Sequence, residues 1–441
     1  MKTSIINSAS VDSDIRRLLL ANPSLKMDIC KDIINTLEMK TPDEKAELRT
    51  WLEENIKVYK SKASEIENQA LYLDFCKEAK EHIDLWEDNF GKVSLNDIIF
   101  MAESTDINVA DIGWKYINPI TMKELLDEYL VGQNGYKQEL GLCVYSHLLR
   151  EKNTSLNLPK QNLLVYGPSG VGKTSGIKIL ADKLKIKIGF VNCNSIVQEG
   201  IVGSTIYDAF TRVLQDKYEY MILILDEFDK LFTGNGYYND RIIQEVLNIT
   251  DNNNTITFPT TFDIHKEYKQ IPSKNITCIM CGKFDKLSEI VKKRLANDGV
   301  GFHTFNQHKA TIDELYKQVT LNDIKTVLRS DELCGRIGQF ARVEQLKTED
   351  LIDILMHKKE SVLDKYQTYF SQHNVGLKLT MDGAKEIAKY TLHNYPDLGV
   401  RGMESVIRIL LKDNMFEISK HKGQTITINK EYVMQRLAES Y

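Results

Sequence analysis

A glycine-rich motif at residues 163–174 has the residue types needed to hold phosphate groups. It reads LLVYGPSGVGKT, an apolar run followed by two glycines with four residues between them and then Lys-Thr. Glycines let consecutive backbone N–H groups turn around phosphate oxygens, and a helix starting at the loop adds positive potential. The lysine of such a loop reaches the terminal phosphates, and the threonine hydroxyl binds Mg²⁺. The motif predicts these nucleotide-binding residues: Gly167, Pro168, Ser169, Gly170, Val171, Gly172, Lys173 and Thr174.

A later apolar run, 222–225, ends in the carboxylate pair Asp226-Glu227. Open α/β sheets bind ligands at the carboxyl ends of their strands, so this pair should face the phosphate loop. Asp226 is expected to hold Mg²⁺ together with Thr174, and Glu227 to polarise the water that attacks the γ-phosphate. The two motifs together predict an enzyme that hydrolyses a nucleoside triphosphate with Mg²⁺.

The elements that must position these motifs alternate between strands and helices. Continuous apolar runs indicate strands buried on both faces, and the helices between them provide the crossovers of a parallel sheet. Strands are predicted at 162–166, 188–192, 221–225 and 276–281, with helices that include 172–184 and 240–249. Beyond residue 346, helices are predicted at 348–370, 381–390 and 400–419, with strand-like pieces at 376–380 and 424–429.

The N-terminal segment differs in charge and aromatic content from the rest of the chain. Residues 1–117 hold 15 Lys and Arg against 22 Asp and Glu, a net charge of -7, as well as all three tryptophans. Thr41-Pro42-Asp43-Glu44 is typical of a helix start, and apolar residues follow at helical spacing. The predicted fold class is therefore α/β, with an acidic helical domain at 1–112, a parallel-sheet P-loop domain at 119–346 and a small, mainly helical domain at 347–441.

Composition excludes several classes of protein. The net charge of -5 gives no overall basic field, so binding to nucleic acid is not expected. No run approaches 18 uncharged apolar residues, so neither a membrane span nor a secretion signal is predicted. Seven cysteines scattered over 441 residues favour reduced thiols and a cytoplasmic location.

The sequence around these motifs resembles the AAA+ ATPases of the Clp/HslU group. It is most similar to the ClpX family, the unfoldase partners of the ClpP peptidase. The resemblance extends over residues 119 to about 430. Val131, Gly132 and Gln133 match the family segment that borders the adenine of ATP. Phe228-Asp229-Lys230 and the run ITCIMCGKFDKL at 276–287 match further family segments. The AAA+ fold that this implies binds ATP between the sheet domain and the small domain.

Two arginines carry over by the same resemblance. Arg336, in DELCGR at 331–336, stands where the family has an arginine that reaches the nucleotide of the neighbouring subunit. Arg401, in LGVRGM at 398–403, stands where a small-domain arginine senses the γ-phosphate. An arginine that acts in trans implies an oligomer, which in this family is a hexameric ring.

The loops that handle polypeptide depart from the family. Its central pore loop carries an aromatic residue, whereas the matching residues here are Gly200, Ile201, Val202 and Gly203. Ile201 therefore offers less contact area at the gripping position. The second pore loop is matched only in part, by Ile264-His265-Lys266. Val300, Gly301 and Phe302 stand where the family has a tripeptide that docks on ClpP.

No zinc site is expected, because 1–117 contains only Cys30 and Cys76, whereas many family members begin with a four-cysteine zinc domain. The N-terminal domain is then expected to select substrates or adaptors in place of the zinc domain. The favoured function is ATP-driven unfolding of proteins, coupled to a ClpP-type peptidase. Two alternatives stay open, a remodelling chaperone without proteolysis and an AAA+ motor on nucleic acid. The second alternative predicts basic pore loops, which 200–204 lacks.

Overall fold

The computed structural model describes residues 8–64, 69–153, 155–156, 158–196, 205–214, 219–233, 237–261, 267–297 and 311–439. Contacts divide the chain into two compact units, one formed by 1–125 with 182–185 and the other by 126–181 with 186–441. The second unit contains both the sheet and the C-terminal helices.

The first unit is helical, as the sequence predicts. Its helices are α1 (Ser8–Leu20), α2 (Met27–Thr36), α3 (Pro42–Ser64), α4 (Gln69–Phe90), α5 (Leu95–Thr105) and α6 (Val109–Ile112). The predicted start of α3 is confirmed: the Thr41 N–H donates to Glu44 Oε2 at 2.6 Å, and the Glu44 N–H donates to Thr41 Oγ1 at 3.3 Å. This reciprocal capping satisfies two backbone donors that a helix start leaves without partners. Leu52, Ile56 and Tyr59 of α3 are buried.

A five-stranded parallel sheet forms the centre of the second unit. The second unit contains α7 (Pro119–Asp127) in part, α8 (Asn134–Lys152), β1 (Asn162–Tyr166), α9 (Lys173–Lys183), β2 (Ile188–Asn192), α10 (Tyr207–Val213), β3 (Met221–Asp226), α11 (Tyr237–Thr250), β4 (Thr255–Pro259), β5 (Tyr268–Pro272), β6 (Ile276–Gly282), α12 (Asp285–Asn297), α13 (Ile312–Lys317), α14 (Leu321–Leu328), α15 (Asp331–Ile337) and β7 (Gly338–Arg342). The sheet order is β2-β3-β6-β1-β7, and β4 pairs with β5 in a separate antiparallel hairpin. The four predicted strands are confirmed to within a residue at each end.

Strand β7 was not predicted. It lies at the edge of the sheet beside β1, and only Ala341 of its five residues is buried. Because its side chains are mostly half exposed, the continuous apolar run that marks the other strands is missing.

The C-terminal region holds α16 (Thr348–His357), α17 (Val362–Gln372), β8 (Gly376–Leu379), α18 (Met381–Asn394), α19 (Val400–Phe416), β9 (Thr425–Ile428) and α20 (Lys430–Glu439). The single helix predicted at 348–370 is wrong, because two helices occupy this stretch. Ser361 and Asp364 form a capping box that starts α17, and the preceding Glu360 has a left-handed φ of 54°. A new helix start and a left-handed residue both interrupt a helix. The small sheet of β8 and β9 matches the two predicted strand pieces.

Within the described part of the chain, every helix is too short or too polar to cross a membrane.

Asn162, the first residue of β1, links three elements at the start of the sheet. Its side chain is 1% exposed. Its amide donates to the carbonyls of Thr250 at 3.1 Å and Arg336 at 2.8 Å, and its oxygen accepts from the N–H of Cys278 at 3.0 Å. One buried side chain thus satisfies backbone groups at the ends of α11 and α15 and in β6.

Replacing Asn162 by leucine should lower the free energy of unfolding by about 3 kcal/mol, because three buried backbone groups lose their partners. Chemical denaturation followed by circular dichroism measures this change. The matched control is Asn248→Leu, on the exposed side of α11, which should change the same quantity by less than about 0.5 kcal/mol. Equal effects of the two substitutions would contradict this account of Asn162.

Candidate functional site

The phosphate loop connects β1 to α9 in a backbone conformation that requires glycine. Gly167, Gly170 and Gly172 have φ angles of +134°, +70° and +98°. A Cβ atom on Gly167 would lie 2.5 Å from the carbonyl oxygen of Val343. These values exclude larger residues and leave the loop backbone wrapped around the start of α9, which is the arrangement that binds phosphate.

Lys173, the first residue of α9, directs its ammonium group back to the loop. Its Nζ donates to the carbonyl oxygens of Gly167 at 2.8 Å and Pro168 at 2.5 Å. Burial lowers the pKa of Lys173 to about 8, because the charged form loses hydration. The buried Tyr136 donates its hydroxyl to the carbonyl of Lys173 and so anchors the first turn of α9 to α8. A partly dehydrated ammonium held over the loop is well placed to pair with an anion.

Oxygen donors from two elements meet beside this lysine. Thr174 Oγ1 donates to Asp226 Oδ1 at 3.3 Å, and the same carboxylate oxygen accepts from the N–H of Glu227 at 3.1 Å. Hydroxyl and carboxylate oxygens are the ligands that Mg²⁺ prefers, so the pair fits that ion. Among the residues that the structure describes, no cluster of three or more His, Cys, Asp or Glu is arranged to hold a metal.

Glu227 has an unusual backbone conformation for a glutamate. Its φ is 54° and its ψ is 36°, in the left-handed region, and it caps the short 3₁₀ helix Phe228–Phe232. Such a conformation is strained for a residue other than glycine and persists only where its surroundings enforce it. It turns the chain sharply just after β3, so that Glu227 lines the nucleotide-sized cavity described next.

The cavity has a volume of 610 Å³ and lies between the carboxyl edge of the sheet and the C-terminal helices. Its lining includes the polar and charged residues of the phosphate loop and the carboxylate pair. Apolar and aromatic side chains also line it, among them Tyr129, Val131, Ile179, Leu346, Ile354 and Val362. The predicted site residues that line it are Val131, Ser169, Gly170, Val171, Gly172, Lys173, Thr174, Asp226, Glu227 and Arg401. Gly132, Gln133, Gly167, Pro168 and Arg336 are not among the lining residues.

Gln133 instead joins two parts of the chain behind the cavity. Its amide donates to the carbonyl of Glu344 at 2.8 Å, and its oxygen accepts from the N–H of Glu344 at 2.8 Å. Both polar ends of the side chain are therefore paired with backbone just beyond β7. This arrangement fixes the segment that carries Val131, and it gives Gln133 a structural contact that the sequence did not predict.

The turn before α19 contacts the phosphate loop through its backbone. The N–H of Val400 donates to the carbonyl of Gly170 at 2.9 Å. A Cβ atom on Gly170 would lie 1.9 Å from the carbonyl oxygen of Leu398, and one on Gly399 would lie 2.6 Å from the carbonyl oxygen of Gly170. Only glycine on both sides permits this approach, which brings the neighbouring Arg401 to the cavity.

Arg336, at the end of α15, is held by groups of its own chain. Its guanidinium donates to the Leu247 carbonyl at 2.6 Å and pairs with Asp251 at 3.0 Å and Glu332 at 2.7 Å. The side chain is 26% exposed. It is therefore fixed in direction and partly accessible, outside the cavity of its own chain.

Sequence reasoning missed the turn between α16 and α17 as part of the site. Lys358, Lys359 and Lys365 all line the cavity. Lys358 Nζ donates to the Asp127 carbonyl at 3.0 Å, and Lys359 pairs with Glu128. The signal that could have located this turn is the capping pattern Ser361-x-x-Asp364.

The other predicted sites fall outside the described residues. They are the pore loop Gly200, Ile201, Val202 and Gly203, the partial second loop 264–266, and the docking residues Val300, Gly301 and Phe302. All seven cysteines are free and buried, Cys278 and Cys281 within β6.

The contact between the loop and the turn before α19 predicts the behaviour of a Gly399→Ala variant. The added methyl group must push the turn away from Gly170 and strain a φ of 50°, so affinity for ATP should fall roughly tenfold or more. Titration with a fluorescent ATP analogue measures this. The control is Gly135→Ala in α8, where a Cβ meets nothing within 4 Å and binding should not change. Unaltered affinity in Gly399→Ala would contradict the coupling.

Comparison with known proteins supports the resemblance. Residues 163–298 match the family described as "ATPase family associated with various cellular activities (AAA)". The chain is 29% identical over 337 residues to the "ATP-dependent Clp protease ATP-binding subunit ClpX" of Treponema denticola, a match that covers 71% of this chain and 81% of that protein. The proteins of the same name from Porphyromonas gingivalis and Bacteroides thetaiotaomicron are 25% and 26% identical, over 72% and 77% of this chain and 82% and 85% of theirs.

These matches confirm the resemblance drawn from the motifs, and they cover the phosphate loop and the carboxylate pair alike. The chain is a ClpX-like ATPase of the AAA+ class.

Proposed function

We propose that this ATPase is a ring-forming unfoldase that uses ATP hydrolysis to pull polypeptides through a central pore. The observation that carries the proposal is the backbone contact between Gly170 and Val400, at 2.9 Å, on the wall of the nucleotide cavity. It joins the phosphate loop to the helices of the small C-terminal region, so a change at the phosphates is transmitted as a movement of those helices. The names of the relatives, subunits of an ATP-dependent Clp protease, support the same reading.

In this proposal the nucleotide is ATP with Mg²⁺. Lys173 pairs with the terminal phosphates, while Thr174 and Asp226 hold the metal, which when bound neutralises charge on the phosphates. The base packs against the apolar lining residues, among them Val131. Glu227 accepts a proton from the attacking water as a general base. Glu227 lines the same cavity as Lys173 and Asp226.

The two arginines have different roles, one in sensing the γ-phosphate and one in stabilising the transition state. Arg401, in the small C-terminal region, contacts the γ-phosphate. When that phosphate leaves, the contact is lost and the C-terminal region moves. Arg336 serves the site of the neighbouring subunit in a hexameric ring, since it lies outside the cavity of its own chain and is already oriented by Asp251 and Glu332. An arginine supplied in trans stabilises the developing charge on the phosphoryl group.

The work done on substrate follows from the family resemblance. Ile201 grips the polypeptide, the acidic helical unit formed by 1–125 recruits substrates or adaptors, and Val300, Gly301 and Phe302 dock on a ClpP-type peptidase. Seven free thiols are in keeping with action in the cytoplasm. Neither zinc nor nucleic acid has a role in this cycle.

A Glu227→Gln variant tests the hydrolytic step. ATP turnover should fall at least about a hundredfold while ATP affinity stays within about twofold, because the general base is lost and the phosphate contacts are kept. Phosphate release and analogue titration measure the two quantities, and ATP-dependent unfolding of a tagged fluorescent reporter should stop as well. The control is Glu289→Gln on the exposed side of α12. Normal turnover in Glu227→Gln would refute the assigned base.

Mixed rings test whether Arg336 acts in trans. Arg336→Ala and Glu227→Gln rings should each be inactive alone, but a mixture should regain part of the ATPase activity. An intact Glu227 in one subunit then meets an intact Arg336 from its neighbour across a head-to-tail interface. The control mixes Arg336→Ala with a subunit that carries both Arg336→Ala and Glu227→Gln. Neither partner then supplies Arg336, so this mixture should stay inactive. A mixture as inactive as its components would show that Arg336 serves its own subunit.

A further inference from the structure

A second cavity lies at the amino edge of the central sheet, at the opposite end of the strands from the phosphate loop. Its volume is 550 Å³, within the range of small-molecule sites. The described lining residues are Arg150, Ser155, Leu156, Leu158, Pro159, Tyr220, Asn252, Asn253, Lys274 and Asn275. Tyr220 directly precedes β3, and Asn275 directly precedes β6. Parallel strands start at one edge, so the topology brings these residues together.

The charged residues described in the lining of this cavity are all basic. Arg150 and Lys274 contribute positive charge, and none of the lining residues that the structure describes is an Asp or Glu. Arg150 is 5% exposed, and its described hydrogen-bond partners are two carbonyls and a hydroxyl rather than carboxylates. A buried charge without a counter-ion is costly, and the carbonyls around Arg150 offset only part of that cost.

The guanidinium of Arg150 keeps unused donors. Its Nε donates to the Ser146 carbonyl at 3.3 Å, and its terminal nitrogens donate to the Lys274 carbonyl at 3.3 Å and to Thr277 Oγ1 at 2.6 Å. Arginine carries five N–H donors, so two are left over. The neighbouring His147 adds no charge, because burial lowers its pKa to about 3.

Asn275 supplies a second, independent sign of a missing ligand. It is 3% exposed, it lines the cavity, and its Oδ1 has no hydrogen-bond partner among the described residues. Buried amide oxygens are almost always paired. Rotation of the amide by half a turn would present its NH₂ group to an acceptor instead. The exposed Lys274 lines the same cavity.

We propose that this cavity binds a phosphate group, either free or carried by a small phosphomonoester. Arg150 offers its two unused donors to the phosphate oxygens, and a guanidinium can bind a phosphate through two such bonds. Lys274 and Asn275 complete the cradle, and Tyr220 contacts whatever the phosphate carries. The site lies apart from the ATP cycle and needs none of its residues.

Calorimetric titration of the full chain carrying Lys173→Ala, which disables the phosphate loop, tests the proposal. Inorganic phosphate and glycerol 3-phosphate are titrated separately at constant ionic strength. Saturable binding of one molecule per chain is expected, and tighter binding of the ester would identify the carried form. Lys274→Gln should weaken binding about tenfold, the loss of one charge-assisted hydrogen bond. Asn275→Asp should abolish binding, since a carboxylate repels the phosphate.

The controls separate this site from the ATP site and from misfolding. Lys292→Gln, an exposed lysine on α12, should bind phosphate like its parent. Lys274→Gln with Lys173 intact should hydrolyse ATP at the normal rate. Arg150→Met should also lose phosphate binding. If that variant does not fold, the Lys274→Gln and Asn275→Asp variants still test the proposal, because Lys274 is exposed and aspartate has the same shape as asparagine. Absence of saturable binding, or binding that Lys274→Gln and Asn275→Asp leave unaltered, overturns the proposal.

Discussion

The nucleotide cavity depends on the close approach of two backbone turns that only glycine permits. The carbonyl of Gly170 in the phosphate loop accepts from the N–H of Val400, next to Gly399 in the turn before α19. A Cβ atom on either Gly170 or Gly399 would collide with the opposite backbone. Because the contact is between backbones, it leaves no soft side chain to absorb a displacement. A shift of the phosphate loop must therefore move the α19 turn, and Arg401 with it. This single backbone contact therefore links the site of ATP hydrolysis to the C-terminal helices.

The two edges of the sheet differ in the charged residues that line their cavities. At the carboxyl edge, Asp226 and Glu227 line the same cavity as Lys173 and Arg401, so both signs of charge are present there. At the amino edge, Arg150 is buried with hydroxyl and carbonyl partners only. The cavity at the carboxyl edge thus has both acidic and basic lining residues, whereas the charged lining residues described at the amino edge are all basic.

The fold was largely predictable because its signals are local. Buried parallel strands read as apolar runs, and the helix start at Thr41 reads as a capping pattern, so both could be located from neighbouring residues. Edge strand β7 was not predicted, because a half-exposed strand has no apolar run. The break between α16 and α17 at 358–361 was not predicted either, because a helix break inside a polar stretch leaves the helical periodicity almost intact. The phosphate loop and the carboxylate pair were likewise local motifs, and the structure brings them to one cavity.

The sequence by itself determined that this chain binds and hydrolyses a nucleoside triphosphate, because the residue types and spacing of one loop and one strand end suffice for that chemistry. Tertiary structure alone decided what the remaining residues contact. Gln133 pairs with the backbone of Glu344, 211 residues away, rather than lining the cavity. Asn162 joins the ends of two helices to β6, and Arg150 meets Asn275 at a shared edge. These contacts join residues far apart in the chain, and no local pattern encodes which distant backbone group a polar side chain will find.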